Sequence, residues 1–554
     1  MDWGTIISGG RRYCGVMKHW VVCCFVLLLA LCSCREDRFD FDNSPRVTRA
    51  PGFVYLEDDH FMEDDRVWVP VMLNYKIDWR VCGDTIEATP VSYYEVPQRA
   101  LDDAANLFED HFRMIAECAK GVNALRVCID VMNSDSNGYY YNHGTPAYII
   151  RDSAKVLSAL DDVVEAAEAC GLRVMFLLAT PLDEELETFT AALLRHYADN
   201  PTVWAYDFMN EPLYFDTVRD RTKESAYLQA DRWLGLMNQH APHQLFTIGF
   251  SEPTEVFSWD PSLMPVDFVE VHTYHPLRVA SEMWWYGHYI GKPWIIGETA
   301  LPAENDSVPY EWQGIFLRET FQCAIDNGAA GYGWWEFMDF PMGRNFEHQY
   351  TGIFSHEGYT ALRRENRTGT TDVAVGAEPP AGLWTTVMKG SPKPVAGVFA
   401  ELGGMRRREP RRPDNYQNMM GYENFCAEGC VVDEDGHPIE GAVIRAWNRD
   451  WSIAQNTFSM EDGTFRLYSN DLCLHFWVSA PGMSTERFDV AYDTDYPLSD
   501  LDTMPNRDLE YQMISYVPFL KDRGSMLTFG KRHWGYARVM FGNVPGRVVL
   551  RRLR

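Results

Sequence analysis

The chain has 554 residues, of which 46% are hydrophobic and 14% aromatic, and its formal net charge is −29. This length accommodates two or three domains, and the apolar fraction is sufficient for large buried cores. Nucleic-acid binding requires clustered Lys and Arg side chains that neutralise phosphates, so the excess of acidic residues argues against a nucleic acid as the partner.

The beginning of the chain has the pattern of an export signal. Lys18 and His19 precede the apolar run Val21–Leu31, which is too short to span a bilayer but suits a signal peptide. The following Leu-Cys-Ser-Cys resembles the lipobox of bacterial lipoproteins. This resemblance implies that Cys34 is lipidated and that the protein is anchored in the outer membrane, at the cell surface. A plain signal peptide and an anchor helix are the alternatives.

Short apolar runs alternate with longer amphipathic segments between residues 52 and 403. The eight runs are Val67–Leu73, Ala124–Asp130, Leu172–Ala179, Val203–Met209, Gln244–Phe250, Val266–His272, Pro293–Gly297 and Ala330–Trp335. Apolar residues recur at helical spacing between several of them, as in Leu157–Cys170 and Glu311–Asn327. Alternating strands and helices indicate a parallel sheet, and eight units favour a closed (β/α)8 TIM barrel. No Gly-rich phosphate loop follows the first run, as would be expected in a doubly wound sheet.

The composition changes after Leu402. The segment that follows is basic, contains Gly and Pro, and lacks periodicity, which indicates a linker. Short alternating runs separated by Asp-Gly pairs come next and are typical of β-hairpins. The pattern Gly-x-Val-x-Asp-x-x-Gly-x-Pro-Ile-x-Gly-Ala, which begins at Gly429, resembles the carboxypeptidase regulatory-like β-sandwich. We expect a small all-β sandwich that acts as a spacer or contacts a partner, not a second enzyme.

These patterns divide the chain into five segments. They are a signal peptide over residues 1–33, with Met17 as an alternative start, an acidic tether over 34–51, a catalytic barrel over 52–403, a linker over 404–424 and the β-sandwich with a C-terminal extension over 425–554. No cysteine pair after Cys34 has the spacing of a zinc site. We expect neither a metal nor an organic cofactor.

Two of the apolar runs lead directly into a glutamate. The fourth is followed by Asn210, Glu211 and Pro212, and Pro212 has no N–H with which to continue a sheet. The seventh ends at Gly297 and Glu298. The carboxyl ends of the strands carry the chemistry in a parallel barrel, so Glu211 and Glu298 are expected to face each other across its mouth. Opposed carboxyl groups suit glycoside hydrolysis, although either one alone could be structural, for example as a helix cap.

The Asn-Glu-Pro and Gly-Glu motifs resemble those of the clan A retaining glycoside hydrolases, most closely family 5, the cellulase and mannanase family. The resemblance covers about residues 52–403. It implies that Glu211 is the acid/base, that Glu298 is the nucleophile and that Asn210 binds the sugar 2-hydroxyl. The expected activity is double-displacement cleavage of a β-linked polysaccharide or oligosaccharide, with retention of configuration.

Two further side chains are expected to act on Glu298. The segment Gly121–Val127 matches the end of the second strand in the family, and this resemblance implies that Arg126 lies near Glu298, where a cation would help to keep the nucleophile ionised. Tyr274 follows the sixth run, and the family resemblance implies that its hydroxyl bonds Glu298. A buried ion pair without a catalytic role is the alternative for Arg126.

Three more residues match the family at strand ends. His272 ends the sixth run, and the resemblance implies that it stands beside Glu211. Trp334 and Trp335 end the eighth, and family spacing favours Trp335 as the indole platform under the reacting sugar. His272 could instead be a core histidine, and Trp334 could be the platform.

The substrate is less clearly indicated. Many family 5 cellulases carry a His at the end of the third strand, and its absence here leaves cellulase specificity without support. Tyr139–Tyr141 and Trp284–Tyr286 follow the second and sixth runs and could stack on sugar rings in a long, endo-acting cleft. Trp284 and Trp285 could instead begin the next helix and pack inward. The acidic chain favours a neutral glycan of mannan or glucan type.

Two other functions remain compatible with these residues. A glycan-binding surface protein could retain the barrel without turnover, although such a protein has no need of two opposed carboxylates. A transglycosylase would use a sugar in place of water and would share the covalent intermediate.

Overall fold

The computed structural model describes most of the chain. The described residues are 39–42, 44–82, 84–90, 107–129, 131–132, 145–146, 152–178, 184–218, 220–274, 278–305, 308–339, 350–355, 390–413, 425–449, 451–452, 454–469, 473–489, 539–540 and 547–553. The predicted signal peptide, Cys34 and Tyr139–Tyr141 lie outside them. Within the described ranges, no helix has the length and apolar composition required to cross a bilayer.

A closed barrel of parallel strands forms the larger part of the described chain. Its strands are β1 (Val71–Cys82), β2 (Ala124–Cys128), β3 (Arg173–Leu177), β4 (Val203–Asn210), β5 (Leu245–Phe250), β6 (Val269–His272), β7 (Trp294–Glu298) and β8 (Gly331–Trp334). Each strand pairs with the next, and Tyr332 and Trp334 of β8 pair with Val71 and Leu73 of β1 to close the barrel. The predicted (β/α)8 TIM barrel is confirmed, and every strand overlaps one of the eight apolar runs.

Amphipathic helices surround the barrel. They are α1 (Leu107–Cys118), α2 (Ser153–Ala169), α3 (Glu184–His196), the short α4 (Pro212–Phe215), α5 (Lys223–His240), α6 (Val279–Tyr289), α7 (Glu311–Asp326) and α8 (Pro394–Leu402). Helix α5 begins with a capping box in which Thr222 and Ser225 each bond the other's backbone N–H. Between β5 and β6 the chain forms only a single 3-10 turn, Pro253–Phe257.

The amino ends of the strands are closed by three short strands at the start of the domain. These are Tyr55–Glu57, His60–Glu63 and Arg66–Val67. Phe61 packs edge-to-face on Trp204 of β4 and on Phe268, which precedes β6. The first predicted run therefore started too early, because Arg66 and Val67 belong to this closing sheet while β1 begins at Val71. The opposite end of the barrel carries the candidate site.

Two β-sheets face each other after the barrel. Their strands are β9 (Phe425–Asp433), β10 (Val443–Asn448), β11 (Ala454–Phe458), β12 (Thr464–Ser469), β13 (Cys473–Ser479), β14 (Glu486–Asp489), β15 (Val539–Met540) and β16 (Val548–Leu550). One sheet contains β12, β9, β15 and β16, and the other has the order β11-β10-β13-β14. Ile444, Phe465 and Phe476 are among the buried side chains between them. The predicted all-β part is confirmed, and β16 completes a sheet near the end of the chain.

The sandwich packs directly on the barrel beside the turn that follows β5. Trp285 of α6 donates from Nε1 to the Gly441 carbonyl, at 2.7 Å. Lys223 at the start of α5 donates to the Ala480 carbonyl at 3.1 Å. Within the predicted linker, residues 405–413 have neither helix nor strand, and Arg408 pairs with Asp326 of α7 at 2.8 Å. The absence of a full helix between β5 and β6 leaves this side of the barrel to the sandwich.

Candidate active site

Glu211 and Glu298 meet at the carboxyl ends of β4 and β7. Glu211 has a left-handed backbone with φ of 41°, and Pro212 then starts α4, so the chain turns sharply at the acidic residue. Glu298 is the last residue of β7 and only 4% exposed. A carboxylate oxygen of each residue and a ring nitrogen of His272 all lie within 4.8 Å of one another. The structure thus brings together the two carboxylates that the sequence placed on separate strands.

The buried guanidinium of Arg126 lies beneath these carboxylates. Its Nη1 donates to Glu298 Oε1, and its Nη2 donates to Asn210 Oδ1 at 3.0 Å. The hydroxyl of Tyr274 donates to the other oxygen of Glu298. Both oxygens of Glu298 therefore carry a hydrogen bond, and Arg126 connects Glu298 to Asn210.

The pKa of Glu298 is lowered. Burial acts to raise this pKa, but the charges of His272 and Arg126 and the hydrogen bonds from Tyr274 and Arg126 outweigh the burial. Glu298 is therefore a carboxylate at neutral pH. An ionised carboxylate held in place on both oxygens is suited to attack an electrophilic carbon.

The pKa of Glu211 is shifted in the opposite direction. Burial raises it, and this effect exceeds the lowering by His272, whose Nδ1 lies 2.9 Å from Glu211 Oε1. For His272 itself, burial lowers the pKa, but the charge of Glu298 and contacts with Glu211 and Glu270 raise it to about 10. Two neighbouring carboxyl groups with pKa values shifted in opposite directions can take different roles. The group with the raised pKa can act as the acid, and the group with the lowered pKa can act as the nucleophile.

Three buried polar residues that the sequence did not single out complete the network. Asp207 accepts from Arg126 Nη2 at 2.6 Å, Asn74 Oδ1 accepts from Nη1 at 2.8 Å, and Glu270 Oε1 lies 2.9 Å from Nε. A Cβ on Gly297 would lie 2.0 Å from Glu270 Oε1, so this glycine is needed for the close approach. Asp207 and Glu270 could have been found, because a charged residue inside an apolar strand must be paired.

The two adjacent tryptophans at the end of β8 differ in their surroundings. Trp334 is fully buried, donates from Nε1 to the Thr351 carbonyl at 2.8 Å, and packs edge-to-face on Phe316 of α7. The candidate role of Trp334 in substrate binding is therefore wrong, because its indole belongs to the layer between the barrel and its helices. Trp335 is partly exposed, and Lys76 Nζ lies 4.9 Å from the centre of its ring. Trp335 remains the candidate platform.

The aromatic cluster after β6 does not line the mouth. Trp285 and Tyr286 are buried within α6, and Trp285 contacts the sandwich through Gly441. Trp284 stacks on His288 one helical turn later, with ring centroids 3.6 Å apart. The helix interpretation of these residues is correct. A role in sugar stacking is excluded for the buried pair.

A second carboxylate pair holds the segment that follows Glu211. Glu255 Oε1 accepts from the backbone N–H of Leu213 at 3.0 Å and from Ser251 Oγ at 3.1 Å. Glu252 Oε1 accepts from the Tyr214 hydroxyl at 2.9 Å. Burial raises the pKa of Glu255 to about 8. These contacts tie α4 to the turn after β5, and no local sequence pattern indicated them.

The donor set of the site does not suit a metal ion. Glu211, His272 and Glu298 have the spacing of metal ligands. However, Arg126 and Tyr274 already bond both oxygens of Glu298, and the raised pKa of His272 keeps its ring protonated at neutral pH. A cation placed there would also face the charge of Arg126.

The described barrel and site define a (β/α)8 protein with two opposed carboxylates at its mouth. No known family model matches the sequence, and no curated protein is similar to it in sequence. The chain is similar in structure to the endo-1,4-β-mannanase from Rhizomucor miehei, with 14% identity, 52% of this chain and 92% of that chain covered, and a TM-score of 0.38.

A second similar structure is the exo-β-1,4-mannosidase Op5Man5 from Opitutaceae bacterium strain TAV5, with 17% identity, 59% of this chain and 64% of that chain covered, and a TM-score of 0.42. A third is the endo-1,4-β-D-mannanase from Thermotoga petrophila, with 16% identity, 51% and 93% covered, and a TM-score of 0.34. Likenesses this distant carry no argument about activity. The fold of this chain follows from its own strand pairings.

Proposed function

We propose that the protein is a retaining glycoside hydrolase of clan A, similar to family 5, with Glu298 as nucleophile and Glu211 as acid/base. One observation carries the proposal: opposed carboxyl groups at the ends of β4 and β7 whose pKa values move apart. This is the pair of groups that glycoside hydrolysis requires.

In the first step, a carboxylate oxygen of Glu298 attacks the anomeric carbon of the bound sugar. The glycosidic bond breaks, and Glu211 gives its proton to the leaving oxygen. Arg126 and Tyr274 keep Glu298 ionised and oriented, and the raised pKa of Glu211 keeps its proton available. The product is a glycosyl ester on Glu298 and a free leaving sugar.

In the second step, Glu211 acts as a base. It removes a proton from water, the oxygen of that water attacks the anomeric carbon, and Glu298 leaves as a carboxylate. A sugar hydroxyl in place of water would give transglycosylation from the same intermediate. Asn210, which Arg126 holds at the mouth, is the candidate partner of the sugar 2-hydroxyl.

The spacing of the carboxyl groups favours retention of configuration. Inverting enzymes hold a water between carboxyl groups that are roughly 6.5–9.5 Å apart, whereas retaining pairs are roughly 5–5.5 Å apart. Here one carboxylate oxygen of Glu211 and one of Glu298 lie within 4.8 Å of each other. That gap suits direct attack by Glu298.

The proposed substrate is a neutral β-linked glycan of mannan or glucan type. The partly exposed indole of Trp335 offers a flat apolar face to a sugar ring, and the acidic chain would repel an anionic polymer.

The proposal includes a lipid anchor at Cys34, a location at the outer cell surface, and a C-terminal carboxypeptidase regulatory-like domain. Each of these rests on the sequence motifs described above.

The test is sugar release by the chain from residue 39 onward, since Phe39 and Phe41 pack on Tyr227 and belong to the fold. The panel is β-mannan, galactomannan, β-glucan, cellulose, xylan and xyloglucan. We expect release from a neutral polymer, complete loss in Glu298→Gln, and a first product of β configuration by proton NMR. The matched control Glu311→Gln, at an exposed carboxyl of α7, should retain full activity.

Three results would contradict the proposal. An α-configured first product would show inversion. Undiminished sugar release by Glu298→Gln would show that Glu298 is not the nucleophile. No release from any polymer, together with tight glycan retention by both wild type and variant, would indicate a binding protein.

A further inference from the structure

Tyr214 is an exposed aromatic residue beside the proposed acid. It lies on α4, directly after Glu211, and its backbone N–H donates to the Glu211 carbonyl at 2.9 Å. Its side chain and backbone together are 55% exposed, whereas the aromatic residues Trp334 and Trp285 of the same barrel are fully buried. An exposed aromatic ring beside the proposed acid offers a sugar a flat apolar face on which to stack.

The hydroxyl of Tyr214 is tied to the barrel although the residue is exposed. It donates to Glu252 Oε1 at 2.9 Å. Arg278 Nη2 donates to the same oxygen at 3.1 Å, and Arg445 Nη1 donates to Glu252 Oε2 at 3.3 Å. Burial raises the pKa of Glu252, but the two arginines outweigh it and lower the pKa to about 2. Glu252 is thus a permanent acceptor that holds the phenol in one direction.

Arg445 belongs to the sandwich, not to the barrel. It lies on β10, where the partly exposed Arg445 and Trp447 alternate with the buried Ile444 and Ala446. Its Nη1 also donates to Thr254 Oγ1 at 3.2 Å, in the turn after β5. The C-terminal sandwich therefore supplies one of the two cations that hold the anchor of Tyr214.

We propose that Tyr214 is the platform on which the leaving sugar stacks, and that the sandwich positions this platform through Arg445 and Glu252. This inference rests on the proposed function. Glu211 delivers its proton to the glycosidic oxygen, so the leaving sugar lies on the Glu211 side of the bond, where α4 presents Tyr214. A fixed aromatic face offers the C–H groups of a sugar an apolar surface at little cost in entropy.

The consequence is a preference for substrates with a sugar on both sides of the scissile bond. A glycosyl fluoride has no leaving sugar, so its hydrolysis uses Glu298 and the platform under the reacting sugar but not Tyr214. Comparing a trisaccharide with a fluoride therefore separates the leaving-group side of the cleft from the remainder of the site.

The experiment measures kcat/KM for β-1,4-mannotriose, cellotriose, β-mannosyl fluoride and β-glucosyl fluoride, in the sugar series that the wild type hydrolyses. We expect Tyr214→Ala to lower kcat/KM for the trisaccharide about 10-fold and leave the fluoride unchanged. Tyr214→Phe, which keeps the ring but loses its anchor, and Arg445→Met should each cause a loss of about 3-fold. Arg445→Lys should recover part of the kcat/KM that Arg445→Met loses.

The control is Arg487→Met. Arg487 lies on β14 of the same sheet, stacks on Trp477 and pairs with the exposed Asp220, so its loss should leave both substrates at wild-type rates. An equal fall for trisaccharide and fluoride in the Tyr214 or Arg445 variants would overturn the inference in favour of a purely structural role. Unchanged trisaccharide hydrolysis would also overturn it. A wild type inactive on all four substrates would instead overturn the proposed function, and the inference with it.

Discussion

The ring of His272 lies between the two carboxylates of the site, with Nδ1 2.9 Å from Glu211 Oε1 and 3.7 Å from Glu298 Oε1. Its pKa is about 10 because the surrounding carboxylates outweigh burial, so the ring is a cation at neutral pH. One charge therefore lowers the pKa of both the proposed acid and the proposed nucleophile.

Replacing His272 with Asn should move the whole pH–activity profile towards higher pH. The Asn amide can still donate near the position of Nδ1, but it carries no charge, so the pKa values of Glu211 and Glu298 both rise. The acidic limb of kcat/KM, set by ionisation of Glu298, and the basic limb, set by loss of the Glu211 proton, should shift together. The control His196→Asn, paired with Asp161 far from the mouth, should leave both limbs in place.

Removing the Tyr274 hydroxyl should shift only the acidic limb of the pH–activity profile. Tyr274→Phe deletes a hydrogen bond to the charged Glu298, and such bonds contribute roughly 1.5–3 kcal/mol. We expect kcat/KM to fall about 10- to 100-fold and the acidic limb to move up as the pKa of Glu298 rises. Tyr332→Phe, which loses the hydrogen bond between the Tyr332 hydroxyl and Thr320, should change stability but not the pH–activity profile. An unchanged acidic limb in Tyr274→Phe would contradict the assignment.

Glu255 should make the fold less stable as the pH rises. Burial raises its pKa to about 8 in the folded state from a reference value of 4.5, so the folded protein binds the proton more tightly than the unfolded chain. This contribution is fully present below about pH 4.5 and is lost as the pH rises through about 8. Glu255→Gln cannot ionise and can still accept from Leu213.

Urea unfolding at pH 4.5 and pH 8.5 tests this prediction. The Gln variant should match the wild type at the lower pH and exceed its free energy of unfolding at the higher one, by on the order of 1–4 kcal/mol. Glu461→Gln, at an exposed site, leaves Glu255 in place and should have the wild-type free energy of unfolding at both pH values. A variant less stable than wild type at pH 8.5 would show that the ionised carboxylate is the favoured form.

The junction between barrel and sandwich should depend on a buried ion pair. Lys223 Nζ lies 2.8 Å from Asp260 Oδ2, and the side chains of the two residues are 4% and 0% exposed. Lys223→Met leaves Asp260 as a buried unpaired charge, which costs about 3–5 kcal/mol. Arg318→Met, in an exposed pair with Glu401, should cost less than about 1 kcal/mol. If chemical denaturation showed that the two variants lose the same free energy of unfolding, the predicted difference would be wrong.

The strands could be located from sequence because a parallel barrel buries both faces of each strand. Val203–Asn210 and Trp294–Glu298 are almost entirely buried, so each appears in the sequence as a continuous apolar run. The carboxylate at the end of such a run is then conspicuous. The first strand was placed too early because the preceding Arg66–Val67 forms part of the closing sheet, and its composition does not distinguish the two.

The choice between Trp334 and Trp335 required more than a pattern. Successive residues at the end of a strand point in opposite directions, so one residue of register decides which indole is buried. Family spacing favoured Trp335, and the buried contacts of Trp334 with Thr351 and Phe316 exclude the other.

The barrel, the two opposed carboxylates and the β-strands after residue 424 could be predicted from the sequence, because they depend on local periodicity and on strand order. Only the tertiary structure revealed the network of Asp207 and Glu270 around Arg126, and the link from Arg445 to Glu252. The physical reason is that such contacts join residues far apart in the chain. These contacts form because buried charged side chains must be paired with opposite charges. Such pairing produces no repeating pattern along the sequence.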